Sequence, residues 1–414
     1  MTLLDAIEIE FGYLTIVDHY YQQPSTQRLL DGARAGLLAY LHGRGIAGAQ
    51  VAVMHAQADG RGAVPAIDQQ VGRIIERYGS RVGVRDLVYA TIRGELAALH
   101  DPYSVLFTKA ELSGFSAAID GTTFAGVGVV LAYDDAAREW HVDQVFSGGP
   151  AARAGVQVGD VIANVEGTPA AGLESSRIVA LLRGKAGTVV RVAIVRAGAA
   201  LPEPIAITRG AVTPPSVTAR VVKGNVGYVA LRSFDLTAAS ELRSALERLA
   251  RDGARATVFD LRGNGGGYES AAVHVASLFV PSGPVVATEE RRGRRKVTNA
   301  DGTALPALPL AVLVDGDSAS AAELVAAAIQ DRGTGKLVGV RTFGKGVVQT
   351  MYPLPDGAAI KLTTARYFTP RGRNIDRVGI EPDVRVTQPP GSERGTPGRD
   401  PQLDRALELV APAG

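Results

Sequence analysis

The chain contains no cysteine. Disulfides, thiolate nucleophiles and cysteine-ligated zinc are therefore excluded, although this absence does not identify the compartment. Histidine is scarce: the six residues, at 19, 42, 55, 100, 141 and 274, form no HxxxH pair. That spacing disfavours metal catalysis, so no cofactor is expected. No run reaches the roughly 18 to 20 apolar residues that a membrane-spanning helix needs. Excess charge is missing too, with Lys+Arg 44 against Asp+Glu 42 and a net charge of +2. Such a balance gives no electrostatic reason for a nucleic acid or an anionic membrane as partner. The basic run Glu289-Glu-Arg-Arg-Gly-Arg-Arg-Lys296 reads as a solvated loop or hairpin edge. The opening Met1-Thr-Leu-Leu-Asp-Ala-Ile-Glu-Ile-Glu10 is acidic and lacks the basic n-region of a secretory signal. On that reading the protein stays inside the cell, or the sequence is a trimmed or mature form.

The chain has 414 residues, of which 46% are hydrophobic. This is enough for several cores, and about two to four domains are expected at this length. Residues 1–118 read as mostly helical. One helix is predicted after the N-cap candidate Ser25, and a second over Val84 to Leu99, stopped by Pro102. The two share a pattern, Leu30…Gly36-Leu-Leu against Leu87…Gly94-Glu-Leu, which fits a weak duplication or coincidence equally. Between them, 56–64 reads as a loop. Residues 119–212 switch to short β-type runs separated by turns, with short helices at 150–154 and 174–183. Residues 213–387 alternate buried strands (227–231, 256–261, 308–314) with helices (238–251, 269–279 and one through Gln330), which argues for an α/β core. The fold class is α/β in a multi-domain chain that is α+β overall. A polar linker at Gln388–Gly398 and a short helix over Pro401–Val410 make up 388–414.

Three segments carry chemistry. Ser320, in Asp315-Gly-Asp-Ser-Ala-Ser-Ala-Ala-Glu323, follows a buried strand and opens a helix. A serine there is an ordinary N-cap, or a nucleophile whose helix supplies the free N–H of Ala321 to an oxyanion. A serine hydroxyl needs a base, and no histidine lies near; the closest in sequence is His274. Lys345, in Thr342-Phe-Gly-Lys-Gly346, can be that base if burial lowers its pKa. Its alternative is a surface lysine on a hairpin. Gln349, four residues on, could orient the amine through its side-chain carbonyl. The third segment, Gly263-Asn-Gly-Gly-Gly267, allows close backbone approach and suits a second oxyanion donor or a plain turn. It lacks the GK[ST] ending and the GxGxxG frame of phosphate loops.

With these segments in place the sequence resembles the C-terminal processing (tail-specific) peptidases, serine peptidases of the S41 type. The resemblance runs from about 87 to 410. It is carried by Asp101-Pro-Tyr-Ser104, Gly126-Val-Gly-Val129, Gly155-Val-Gln-Val-Gly-Asp160, Leu182-Arg-Gly-Lys-Ala-Gly-Thr188 and Gly227-Tyr-Val-Ala-Leu-Arg-Ser-Phe234. Further on it is carried by Asp260-Leu-Arg-Gly-Asn-Gly-Gly-Gly267, Ser318-Ala-Ser-Ala-Ala-Glu323, Gly344-Lys-Gly346, Thr364-Ala-Arg-Tyr-Phe-Thr-Pro-Arg-Gly-Arg373 and Gly379-Ile-Glu-Pro-Asp383.

The resemblance implies a crotonase-like peptidase core and a serine endopeptidase that cleaves proteins at or near their C-termini. Ser320 would be nucleophile, Lys345 general base and Gln349 the residue orienting it. Ala321 and a glycine of 265–267, with Gly266 favoured, would form the oxyanion hole. Residues 119–212 look like the family's PDZ domain, taking a substrate C-terminus as an added strand. Its carboxylate loop would be Phe124, Ala125, Gly126, Val127 and Gly128. Ile178, Leu181 and Leu182 would line its side-chain pocket or simply pack the helix. The resemblance also implies a cell-envelope location, resting conformations with the pair misaligned, and protein or peptide C-termini as partners; a homo-oligomer or regulatory partner stays open. Departures are Asp317 for a usual glycine, Ala322 for a small hydroxyl residue, Gly265 for proline or serine, and the extended N-terminal region, read as a cap, dimer element or substrate gate. Two competing readings are a PDZ adaptor on a silent core and an acyl-CoA hydrolase or isomerase.

Overall fold

The computed structural model describes residues 3–56, 62–119, 124–134, 137–146, 148–212, 216–389 and 392–411. Most of the loop predicted at 56–64 lies outside the described residues. The chain forms two compact units, one of residues 117–218 and one that joins 1–116 to 219–414.

The helical region expected over 1–118 is not a body of its own. Strand Val105–Phe107 pairs antiparallel with Ala359–Phe368, and helices Leu3–His19, Thr26–Gly43, Ala63–Tyr78 and Val84–Ala97 share a core with Ile360 and Leu362. Their apolar stripes need a partner, and the sheet supplies one. Ser25 is the N-cap of its helix, its hydroxyl accepting from Arg28 N–H. Gly36 and Gly94, the matched positions of the two similar helices, are where those helices cross. A Cβ on Gly36 would lie 2.1 Å from the Ala90 carbonyl oxygen, and one on Gly94 would lie 2.2 Å from that of Gly32.

The α/β part of this unit is built on a six-stranded sheet in the order Val217–Val222, Val226–Leu231, Ala256–Asp260, Leu310–Val314, Lys336–Gly339, Val384–Arg385. From Val226–Leu231 onward the strands are parallel. Ala256–Asp260 and Leu310–Val314 are buried at every residue, as parallel strands covered on both faces must be. Helices Ala238–Arg251, Glu269–Ser277, Ala321–Arg332 and Pro401–Val410 alternate with or follow these strands. An antiparallel sheet that sequence reading left largely unassigned joins 105–107, 359–368, 284–290, 295–299 and 347–353. The Glu289–Lys296 run forms the tip of its 284–299 hairpin.

The segment expected as a linker, 388–398, is instead tied down where it is described. Arg394 pairs with Asp315 at 2.8 Å, and Gly395 N–H donates to Asp400 Oδ2 at 2.7 Å. Beneath it lies a buried ionic cluster. The Arg262 guanidinium bonds Asp260 and Asp400 at 2.6 and 2.7 Å, and Tyr228 O–H donates to Asp260 at 2.8 Å. The cluster clamps the C-terminal helix to the glycine loop at 262–267. Arg262→Met leaves two buried carboxylates uncompensated, so we expect a loss of about 3–5 kcal/mol in urea unfolding. Arg394→Ala, which removes a half-exposed partner, should cost only about 0–1 kcal/mol.

The second unit has a sheet ordered Val129–Asp134, Glu139–Val145, Val161–Val165, Val189–Arg196, Ala199–Ala200. Helices Pro150–Arg153 and Ser175–Leu182 accompany it, and Trp140, Ile178, Val190 and Ile194 lie in its core.

Candidate active site

Because Ala256–Asp260 and Leu310–Val314 are neighbouring parallel strands, the loops at their C-terminal ends lie side by side. Open parallel sheets place their sites at such ends. Asp315 Oδ1 binds the two loops together, accepting from the N–H groups of Gly263, Asp317 and Ser318 at 3.0, 3.1 and 3.0 Å. Ser318 Oγ donates to the Leu261 carbonyl at 2.8 Å, and Ala319 N–H donates to that of Asn264 at 3.0 Å.

These bonds hold Ser320 at φ 56° and ψ −115°, outside the usual L-residue regions. Such a conformation costs about 1–3 kcal/mol and persists only where its surroundings over-determine it. Ser320 is buried and stands as N-cap of Ala321–Arg332. Its structural alternative is thus realised without removing its chemistry. Ala321, the first helical residue, has no intrahelical carbonyl for its N–H, and no hydrogen bond engages that N–H among the described residues.

Gly266 presses against this segment. At its φ of 102°, a Cβ would sit 2.9 Å from Ser320 Cβ and 3.0 Å from Ala321 N. The Gly266 N–H itself is engaged, donating to Asn264 Oδ1 at 2.8 Å. In this conformation Gly266 shapes the pocket, and serving as the second donor would require Asn264 to release it.

Glu323 joins the Ser320 segment to the lysine loop. Its fully buried carboxylate accepts from Ser320 N–H (2.9 Å), Lys345 N–H (2.8 Å), Gly344 N–H (2.7 Å) and Thr342 Oγ1 (2.5 Å). Four donors replace the water that burial removes. The glycines around Lys345 have a reason beyond space for the amine. A Cβ on Gly346 would lie 2.4 Å from Asp376 N, and one on Gly344 would lie 3.0 Å from the backbone N of Val378 and Gly379.

Lys345 is half-buried, and that burial lowers its pKa below that of an ordinary lysine, against the opposing pull of Asp101 and Glu323. Its Nζ lies 5.1 Å from the centre of the Tyr103 ring, a cation–π arrangement. Among the described residues no hydrogen bond joins Lys345 Nζ to Ser320 or Gln349. A β-bulge between Val348 and Gln349 re-aims the Gln349 side chain, whose buried Nε2 has no partner among the described residues. The chain therefore brings Ser320, Ala321, Gly266 and Glu323 together, with Lys345 turned onto Tyr103.

Glu323, Thr342, Asn264, Asp101 and Tyr103 received no role from sequence reading. A signal existed for Glu323: the spacing Ser320-x-x-Glu323 is a capping-box pattern. In the second unit, the backbone of Phe124–Gly126 pairs with Gly210–Val212. The carbonyls of Val127 and Gly128 accept from Ala151 and Phe146 N–H. Ile178 is fully buried, while Leu182 and Val127 border a small apolar cavity with Val142 and Ile207.

A model of peptidase family S41 matches residues 225–386, and a PDZ domain model matches 141–196. The chain is 34% identical over 341 residues to the carboxyl-terminal-processing protease of Synechocystis sp., covering 81% of this chain and 80% of that one. It is 35% identical over 318 residues to the chloroplastic C-terminal processing peptidase of Tetradesmus obliquus, covering 73% and 68%. The solved photosystem II D1 C-terminal processing protease aligns over 100% of this chain and 98% of its own, at 27% identity and a TM-score of 0.54. The chain belongs to the carboxyl-terminal-processing peptidases, serine peptidases of family S41 that carry a PDZ domain.

Proposed function

We propose that this peptidase cleaves unfolded proteins near apolar C-termini through Ser320 and Lys345. Ser320 Oγ attacks the scissile carbonyl, neutral Lys345 takes its proton and later returns one to the leaving amine, and water hydrolyses the acyl-enzyme. The Ala321 N–H and a second backbone donor from 265–267 hold the tetrahedral oxyanion. Gln349 orients Lys345 once the amine leaves the Tyr103 face. The observation that carries this reading is the strained, buried Ser320, with an Ala321 N–H beside it that has no partner among the described residues and Glu323 connecting it to the lysine loop.

Substrate selection is assigned to the PDZ unit, for which we keep the bounds 119–212, with the peptidase core at 213–387. Strand Val129–Asp134 is at the edge of its sheet and can accept a peptide as a further strand. With 124–126 paired to 210–212, the N–H groups of Val127 and Gly128 are the donors for a terminal carboxylate, and Leu182 forms the apolar wall while Ile178 packs in the core. A location outside the cytoplasm follows the relatives' role as processing proteases. No helix among the described residues is long and apolar enough to cross a membrane.

The test compares one unfolded substrate with an apolar C-terminus, a C-terminal Asp-Asp extension, or an amidated C-terminus. Cleavage by the wild type should fall about tenfold or more for the last two through KM, because a desolvated charge or a lost carboxylate contact weakens binding. Equal kcat/KM for all three would remove the PDZ unit from substrate selection. Binding without cleavage would favour the adaptor reading.

A further inference from the structure

A basic cavity lies among the N-terminal helices, and none of its lining residues belongs to the peptidase site. It measures about 620 Å³ and is walled by helices Thr26–Gly43 and Ala63–Tyr78, with the extended segment 49–53 as its third side. That volume suits a small-molecule ligand. On the first helix Arg34, Leu38 and His42 recur every four residues and so share a face. On the second, Gln70, Arg73, Ile74 and Arg77 recur at three and four and do the same.

Side-chain bonds fix this frame. Arg34 Nε donates to the Val51 carbonyl at 2.9 Å, and the Ala52 N–H donates to Oε1 of the buried Gln70 at 3.2 Å. The Arg34 guanidinium is thereby oriented, while its two Nη groups have no partner among the described residues. The Arg77 guanidinium lies 5.6 Å from the centre of the Tyr78 ring.

Three guanidinium groups thus meet with nothing to neutralise them. No acidic residue lines the cavity, and among the described residues none of Arg34, Arg73 and Arg77 forms an ion pair. Arg73 and Arg77, four apart, put like charges side by side on one helix, which opposes its formation. Attraction to a helix C-terminus accounts for Arg77 and His42, which sit in last turns. It does not account for Arg34 and Arg73, which lie further back along their helices.

We propose that this cavity binds a phosphate group, carried by a soluble phosphate ester or by a lipid headgroup. A guanidinium meets a phosphate with two parallel N–H···O bonds, and a tetrahedral dianion has oxygens enough for forks from both helices. A carboxylate, planar and singly charged, takes a fork from one helix and leaves the others unneutralised. The His42 ring and the Tyr78 hydroxyl can add donors. Leu38 and Ile74 give the body of the ester an apolar side to rest on.

The test titrates the full chain with pyrophosphate, with acetate, and with phosphatidylcholine vesicles that contain or lack phosphatidic acid. Pyrophosphate should bind once per chain and raise the Tm. Arg73→Gln and Arg77→Gln, at exposed positions, should each weaken binding about tenfold. Arg34→Gln should weaken it too, but it also loses the bond to Val51, so the two exposed positions decide. Arg248→Gln removes an exposed arginine on helix Ala238–Arg251 and should leave binding unchanged. Acetate should not displace pyrophosphate.

Binding of pyrophosphate assigns the phosphate to a soluble ester. Binding of phosphatidic acid vesicles alone, with the same sensitivity to Arg73→Gln and Arg77→Gln, assigns it to a lipid headgroup. The proposal is overturned if neither probe binds, or if acetate competes equally. It is overturned as well if binding survives Arg73→Gln and Arg77→Gln, or falls equally in Arg248→Gln. Each outcome is independent of whether Lys345 is the base.

Discussion

Ser320→Ala and Lys345→Ala should each lower kcat/KM by about 10³-fold or more, and the double variant should lose little beyond the worse single one. The non-additivity is the informative part. Nucleophile and base act in one step, so removing either leaves the other without a function. Both variants should stay folded. Ser320 Oγ is not needed for the bond that fixes its loop, since Glu323 takes the Ser320 backbone N–H. Lys345 likewise contributes its backbone N–H to Glu323, and that survives truncation. Thermal unfolding should therefore shift by only a few degrees while cleavage is lost. Cleavage at wild-type rate in either variant would contradict the assignment. Additive losses would mean that the two residues act in separate steps.

Gly266→Val should reduce kcat by about 10²–10³-fold with a smaller change in KM, because the contact it disturbs forms in the transition state. A Cβ at 266 would lie 2.9 Å from Ser320 Cβ and from the Ala319 carbonyl oxygen, and 3.0 Å from Ala321 N. The added group therefore covers the N–H offered to the oxyanion. A residue with a side chain also resists a φ of 102°. Gly266→Ala should show the same effect more weakly. Gly263→Ala is the control: its φ of 69° is also positive, but its nearest neighbour is the end of the Arg394 side chain at 3.2 Å. It should cost stability more than rate. Equal rate losses at 263 and 266, measured on folded protein, would show that loop strain and not cover over Ala321 is responsible.

Much of the site could be read from the sequence because it is local. Ser320 follows a strand of five buried residues and opens a helix, and Lys345 lies between glycines; both patterns survive in the fold. The α/β alternation over 226–332 was legible for the same reason, since buried parallel strands are continuous apolar runs. The antiparallel sheet was not. Strands such as Val347–Pro353 and Ala359–Phe368 mix Thr, Lys, Arg and Tyr with aliphatics, and a bulge interrupts their register. The attachment of the N-terminal helices to the core depends on Val105–Phe107 meeting residues some 250 positions later, a pairing that local pattern does not encode. Long-range contacts also explain why Tyr103 and Asp101, quoted only within a motif, received no role, since each gains meaning only beside Lys345. For Gly266 the roominess of glycine was legible, but its bond to Asn264 was not.

The structure places Lys345 over Tyr103, and its pKa is lowered by burial. Productive chemistry requires the amine to lose its proton and turn toward Ser320. The most direct measurement follows the 13Cε resonance of Lys345 across pH beside kcat/KM under the same conditions. The account predicts one shared apparent pKa, below the ordinary lysine value of 10.5 and with activity rising as the amine becomes neutral. A Lys345 that stays protonated throughout the pH range in which the enzyme turns over would contradict it.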